Sequence, residues 1–145
     1  MAELSEATFE QIKTLCEQGD QFAADGVHAK ALAKFLNALD LIPDPKTDWE
    51  AATWVLTAVG DTYFILRDYL TARDYLAMAL RAPGGFDDPF LHLRLGQAHC
   101  ELGNEAKAVD ELKRAHSMAG AELFEADPKY FEFLKAKTEA PPEGW

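Results

Sequence analysis

The stretch VGDTYFILRDYLTARDYLAMAL, residues 59–80, decides the fold. It holds Gly60, then Ala72 twelve residues on, then Ala79 seven further. The same offsets separate Gly19, Ala31 and Ala38, and again Gly96, Ala108 and Ala115. Three small-residue triplets in one register call for one structural cause. Gly19 and Gly60 lie 41 residues apart, Gly60 and Gly96 only 36. Constant internal offsets with unequal spacers mean repeated units joined by linkers of different length, the signature of a solenoid.

The units read as helical hairpins. Leu32, Phe35, Leu36 and Leu39 follow the i, i+3, i+4, i+7 spacing of one helix face, and Tyr69, Ala72, Leu76, Ala79 and Leu80 do much the same. Strand-type alternation is missing. Thr47-Asp48-Trp49-Glu50 has the pattern of a capping box, and Asp88-Pro89 and Asp127-Pro128 each place an acid before a proline suited to the first helical position. Pro43, Pro45 and the PGG at 83–85 stop helices. The spacing predicts seven helices at about 5–24, 27–41, 48–66, 69–81, 88–102, 105–119 and 128–137. The turns DG, RD and LGN inside the hairpins are short, which forces antiparallel neighbours. In this reading the glycine opens room midway along each first helix. The first alanine packs close to it, and the last alanine sits where the next hairpin docks. The expected fold class is all-α: three hairpins over about 12–45, 53–86 and 89–122, a capping helix at about 128–137, one domain over 1–137, and a flexible tail at 138–145.

Composition limits the partners. The chain has 145 residues, 48% of them apolar, enough for a core of its own. Its formal charge is −11, from 25 acids against 14 bases, with eight acids and three bases in residues 1–45 alone. Nucleic acid and anionic membrane both need a basic footprint, so neither is an expected partner. A basic protein would be attracted, although acidity also serves solubility. Cys16 and Cys100 form no CxxC pair and no zinc pattern, which suits reduced thiols in the cytoplasm. The start MAELSEATFEQIK lacks the bases and the apolar run of a signal peptide.

The hairpins resemble tetratricopeptide repeats. That pattern asks for an apolar residue, Gly, an aromatic three further on, the two alanines and a closing Pro. QGDQF…ALAKFLNALDLIP at 18–43 carries it with Phe22, Phe35 and Pro43. Residues 59–84 carry it with Tyr63 and Tyr69, though Pro83 falls one place early. Residues 89–115 carry it through Leu95, Gly96, Gly103 and Ala108, with His99 in place of the aromatic and no closing Pro. The resemblance covers about residues 12–120 and implies a scaffold for binding proteins or peptides. DWEAATWVLTAVGDTYF, PGGFDDPFLHLRLGQ and DPKYFEFLK are further similar to small bacterial tetratricopeptide proteins that serve as immunity proteins in polymorphic toxin systems. That likeness implies a chain that binds and neutralises a cognate, basic toxin domain. The alternative is a generic adaptor or co-chaperone that holds a peptide or helix.

The resemblance also implies where a partner sits, because the first helix of each hairpin lines the concave face. Counting repeats from Ile12, Thr53 and Pro89, the second position holds Lys13, Trp54 and Phe90, and the ninth holds Asp20, Asp61 and Gln97. Phe64 and Glu101 stand near the ends of the second and third of these helices, and Trp49 one turn before the second. Trp54, Phe90 and Phe64 are candidates for buried contact area, or else fill seams between hairpins. Asp20, Asp61 and Glu101 are candidates for charge pairing, or else are solvated carboxylates. Domains that clamp the carboxylate tail of heat-shock chaperones use Lys at the fifth and Asn at the ninth position of the first repeat. Here those are Cys16 and Asp20, and an acid would repel the tail. Of Tyr130, Phe131, Phe133 and Leu134, one pair is expected to cap the last hairpin.

Catalytic motifs do not emerge. The sequence holds no HExxH, GxGxxG, GxxxxGK or GxSxG. His92 and His99 are two turns apart, too far for the usual shared metal site, and Cys100 diverges from adjacent His99 by about 100° on a helix. No enzyme, metal or cofactor is expected.

Overall fold

The computed structural model describes residues 4–145. It is all-helical: α1 (Glu6–Ala24), α2 (His28–Asp40), α3 (Glu50–Ile65), α4 (Tyr69–Arg81), α5 (Pro89–Glu101), α6 (Glu105–Ala119) and α7 (Lys129–Lys137). Short 3-10 turns occupy Lys46–Asp48, Gly85–Asp87 and Ala121–Phe124. The three hairpins are α1–α2, α3–α4 and α5–α6, each packed along its length. Successive hairpins join through α2 against α3 and α4 against α5, and α3 also touches α5 directly. The first helices of the hairpins therefore form one layer on the inner side of the curve, and the second helices form the outer one.

The glycine triplets explain this packing, with one correction. All six alanines are fully buried, as their register requires. The glycines, however, do not make room for the first alanine. A Cβ on Gly19 would stand 2.5 Å from Phe35 Cε1, one on Gly60 2.7 Å from Leu76 Cγ, and one on Gly96 2.8 Å from Leu112 Cδ2. Each glycine is a socket for the large side chain sixteen residues on, at the middle of the second helix. The small Ala31, Ala72 and Ala108 instead let the two helices converge near the turn.

Capping follows the sequence only in part. Ser5 accepts from the Thr8 amide, Asp68 from Thr71 and Asp88 from Phe90, so α1, α4 and α5 begin on side-chain caps. The expected capping box at Thr47–Glu50 does not form. Residues 46–48 turn as a 3-10 helix, and Trp49 becomes the N-cap of α3 with no side-chain bond. Lys46 points back instead, its Nζ donating to the Ile42 carbonyl at 2.8 Å and the Leu39 carbonyl at 3.2 Å at the end of α2. Asp127 is likewise not a cap, because α7 starts one residue later, after Pro128.

The last hairpin ends in an aromatic cluster. Tyr130 and Leu134, one turn apart on α7, are buried with Phe124 against Leu93, Leu112 and Ala115. They close the apolar side that a solenoid's last repeat would leave bare. Phe131 stacks on Phe124 at 5.0 Å and on His116 at 5.8 Å. Residues 138–145, expected as a flexible tail, return to this cluster. The Trp145 ring meets His116 edge-on at 5.1 Å and Phe131 at 5.8 Å. Lys135 Nζ lies over the same Phe131 ring, 4.5 Å from its centre. No helix is long and apolar enough to cross a membrane among the described residues.

Candidate functional site

The inner layer carries the acid excess of the three hairpins' helices. The helices α1, α3 and α5 hold seven acidic residues against two basic ones, whereas α2, α4 and α6 hold five against seven. The inner face is thus the negative side of the molecule.

One basic residue organises the middle of that face, and the sequence reading missed it. Arg94 of α5 donates from Nε to Asp61 Oδ1 on α3 at 2.8 Å, and from Nη1 to Gln97 Oε1 at 2.8 Å. Its guanidinium also lies over the Phe64 ring at 4.5 Å and the Phe90 ring at 5.2 Å. Four expected site residues, Asp61, Gln97, Phe64 and Phe90, are therefore brought together around Arg94. Gln97 is buried, and Asp61 already has its counter-ion, so neither offers the free group that the sequence suggested. The available signal was Arg94 itself, one of only two bases, with Lys13, on the three first helices.

Trp54 stands apart from this cluster and open to solvent, with 39% of its surface exposed. Its ring meets Phe9 of α1 edge-on at 6.2 Å, and Phe9 is itself 42% exposed. The pair bridges the first two hairpins on the inner face. Phe9 was missed because it precedes the first repeat, although it falls one turn before Lys13 on the same side of α1. Beside Trp54 runs a shallow groove of about 400 Å³, lined by Glu50, Thr57, Asp61, Pro83 and Asp88 among others. Its far wall is the linker between α4 and α5, held where Thr53 Oγ1 donates to the Pro83 carbonyl at 2.7 Å.

The remaining candidates lie at the margins. Asp20 is exposed on α1, and its carboxyl is raised above the usual range by partial burial and by neighbouring Glu17. Glu101 faces the capping helix, within 3.4 Å of Lys129 Nζ. Trp49 turns toward the first linker, where its indole donates to the Pro43 carbonyl at 2.8 Å and its ring packs on the core.

The thiols are shielded. Burial, with Asp20 beside it, pushes the Cys16 thiol up to about 11, and burial with Glu101 pushes Cys100 up to about 12. His99 is lowered by burial and by Lys107. Its Nδ1 lies 3.4 Å from Asn104 Nδ2, while His92 meets Glu111 on α6, so the two histidines serve different contacts. Among the described residues no three His, Cys, Asp or Glu side chains converge as metal ligands would.

No protein-family model and no curated protein matches the chain. Solved structures do. The C-terminal TPR-containing domain of a putative FK506-binding protein from Plasmodium falciparum superposes with a TM-score of 0.76 at 18% identity, over 92% of this chain and 95% of that one. The first TPR of Spaghetti (RPAP3), bound to an HSP90 peptide, superposes at 0.72 and 19% identity, over 88% and 93%. The Yersinia enterocolitica type III secretion chaperone SycD, in complex with a peptide of the translocator YopD, superposes at 0.70 and 17%, over 93% and 95%. At these identities the likeness is one of fold. The chain has the fold of a tetratricopeptide-repeat solenoid.

Proposed function

We propose that the chain is a protein-binding module that uses its inner face, and that its partner is a basic folded domain. The observation that carries this reading is the Phe9–Trp54 pair: two large aromatic rings, both exposed, bridging two hairpins on the acidic side of the molecule. Exposed aromatics on a rigid helical face are costly to leave in water and are the usual anchors of an interface. The acid excess around them would steer a basic partner and fix its orientation. The peptide held by the Spaghetti domain, SRMEEVD, is itself acidic. Here Cys16 and Asp20 stand where a carboxylate-binding lysine and asparagine would be needed, so an acidic tail is disfavoured.

Within this reading we assign the chain as an immunity protein that holds a cognate bacterial toxin domain inactive. The similarity of its PGGFDDPFLHLRLGQ and DPKYFEFLK segments to such proteins supports the assignment, and so does the acidic inner face. The test is affinity purification from the source cells of the wild type beside a Phe9→Ala/Trp54→Ala variant. One stoichiometric partner, basic, toxic when expressed alone, tolerated when co-expressed and lost from the variant, is the expected result. Several weakly held partners with no protection would replace the immunity assignment with that of an adaptor for short segments, the arrangement found in the SycD complex.

A further inference from the structure

The groove beside Trp54 is lined by charge of one sign. Glu50, Trp54 and Asp61 stand along its α3 side, on one stripe of the helix, and Pro83 and Asp88 stand on its linker side. No base lines it. Asp61 already has a cation in Arg94, whose guanidinium also covers Phe64 and Phe90. Glu50 and Asp88 form no ion pair among the described residues. The inner face thus holds two settings of carboxylate beside aromatic ring. One contains an arginine of the chain itself. The other, Glu50 and Asp88 beside Trp54, contains none.

We propose that this groove receives one arginine side chain of the basic partner, its guanidinium lying on the Trp54 indole and donating to Glu50 and Asp88. The inference rests on the partner-binding reading above and names the group by which the partner is anchored. An indole attracts a cation more strongly than any other side-chain ring. A guanidinium is planar, so it stacks on the indole while its N–H groups reach carboxylates at the edge. Phe9 meets Trp54 edge-on from α1 and does not line the groove, so it steadies the ring without filling the slot. The volume of about 400 Å³ is small for a binding pocket, which suits one long side chain rather than a helix.

The slot is set before a partner arrives. Thr53 Oγ1 holds the Pro83 carbonyl at 2.7 Å, and a Cβ on Gly85 would run into the Ala79 carbonyl, so the linker wall lies pressed against α3 and α4. Asp88 accepts from the Phe90 amide through Oδ1 at 2.9 Å, which leaves Oδ2 for a partner. Glu50 is exposed in the first turn of α3. Ala58 and Pro83 offer apolar surface to the methylene stem of an arginine, while its head stays at the acidic rim. A preformed wall with acceptors in place keeps the ordering cost of binding low.

The test uses the full chain and two short blocked peptides. One has an arginine at its centre between alanines and glycines. The other has citrulline there, which keeps the shape and loses the charge. The indole N–H resonance of Trp54, assigned from its absence in Trp54→Phe, is followed up to about 10 mM peptide, the range of a weak one-residue contact. The arginine peptide should move it saturably, and the citrulline peptide should bind about tenfold more weakly or worse. Glu50→Gln and Asp88→Asn keep the helix and the cap, because asparagine caps as well as aspartate. Each should weaken the arginine peptide by about two- to fivefold, and the pair by about tenfold. Equal binding of the two peptides overturns the proposal, as does a Trp54 resonance that neither peptide moves. Wild-type affinity in the double variant overturns it too. If the peptides fail while purification still yields a Trp54-dependent partner, the arginine slot falls and the partner-binding reading stands. If purification yields no partner while the arginine peptide binds, the partner reading fails and the slot stands.

Discussion

Arg94 Nε donates to Asp61 Oδ1 at 2.8 Å, across from α5 to α3, and this bond ties the third hairpin to the second on the inner face. The same guanidinium covers Phe64 and Phe90 and meets the buried Gln97. Arg94 is a structural clasp in this arrangement, with little of it left for a partner. Arg94→Ala should cost about 1–3 kcal/mol, because it leaves the Gln97 oxygen without its donor and Asp61 without its counter-ion. Arg94→Lys keeps the charge but not the fork, and should recover only part of the loss. Denaturant midpoints measure both. A variant of wild-type stability would mean that the clasp contributes nothing.

The glycine sockets give a prediction whose sign is contested. Alanine is better than glycine in a helix interior by about 1 kcal/mol. At Gly60, however, the new Cβ would meet Leu76 Cγ at 2.7 Å and Cδ2 at 2.8 Å. Overpacking of that kind costs about 1–3 kcal/mol, so Gly60→Ala should be net destabilising. Leu76→Ala alone should cost about 2–5 kcal/mol through the cavity. The double variant should be more stable than the sum of the two, since each change relieves the other. Strict additivity would sink the socket account.

These sockets mark the limit of what could be read from the chain. Helix number, type and hairpin pairing were legible because apolar periodicity and the stops at Pro43, Pro45 and Pro83 are local signals. The triplet register correctly announced three repeated hairpins. Which side chain fills each glycine gap was not legible. The partner across a hairpin is fixed by the crossing of two helices, and no local pattern encodes that crossing. The site divided the same way. The place of Trp54 along the first helix of its hairpin was legible from register, because it depends on one helix. The Arg94–Asp61 bond spans two hairpins, and the His92–Glu111 contact two helices, so both required the fold. The fate of the tail rested on Trp145 alone, in a segment whose prolines and acids read as unstructured.

The contact of Trp145 can be weighed directly. Its ring covers His116 and Phe131, and His116 Nε2 is buried there without a hydrogen-bond partner. The gain from burying a partly exposed ring is therefore offset by an unsatisfied nitrogen. Trp145→Ala should lower stability by only about 1–2 kcal/mol, a fall of about 3–6 °C in Tm. It should also raise binding of an apolar dye as Phe131 is uncovered. No change in either reading would mean that the tail does not rest on the cluster.

Alkaline pH should unfold the protein early. Cys16 is pushed up to about 11 and Cys100 to about 12, mainly by burial, and Tyr130 is raised too, for the same reason and by nearby Glu101. In the unfolded chain a thiol loses its proton near its ordinary value of 9.0. Above that pH the folded state binds more protons than the unfolded one, so stability falls as pH rises. The loss should begin at about pH 9 and grow toward pH 11 and 12. Cys16→Ala/Cys100→Ala should flatten part of this slope. In the native protein at neutral pH both thiols should resist alkylation, and denaturant should expose them. Rapid labelling of either native thiol would contradict the burial.

The division of the inner face into a closed cluster and an open pair gives the sharpest separation of binding from folding. Phe90 and Phe64 lie under Arg94, so Phe90→Ala should disturb the clasp and lower stability by about 1–2 kcal/mol. Phe9 and Trp54 stay 42% and 39% exposed and lie outside the clasp. Phe9→Ala and Trp54→Ala should each change stability by less than about 1 kcal/mol. If the pair anchors the partner, each should weaken binding by about 30-fold or more, the range of an interface hot spot. Calorimetry on the purified complex gives the affinity, and denaturant melts of the free chain give the stability. An affinity loss for Phe90→Ala alone, with Trp54→Ala silent, would move the contact surface from the open pair onto the clasp and leave the exposed rings without a role.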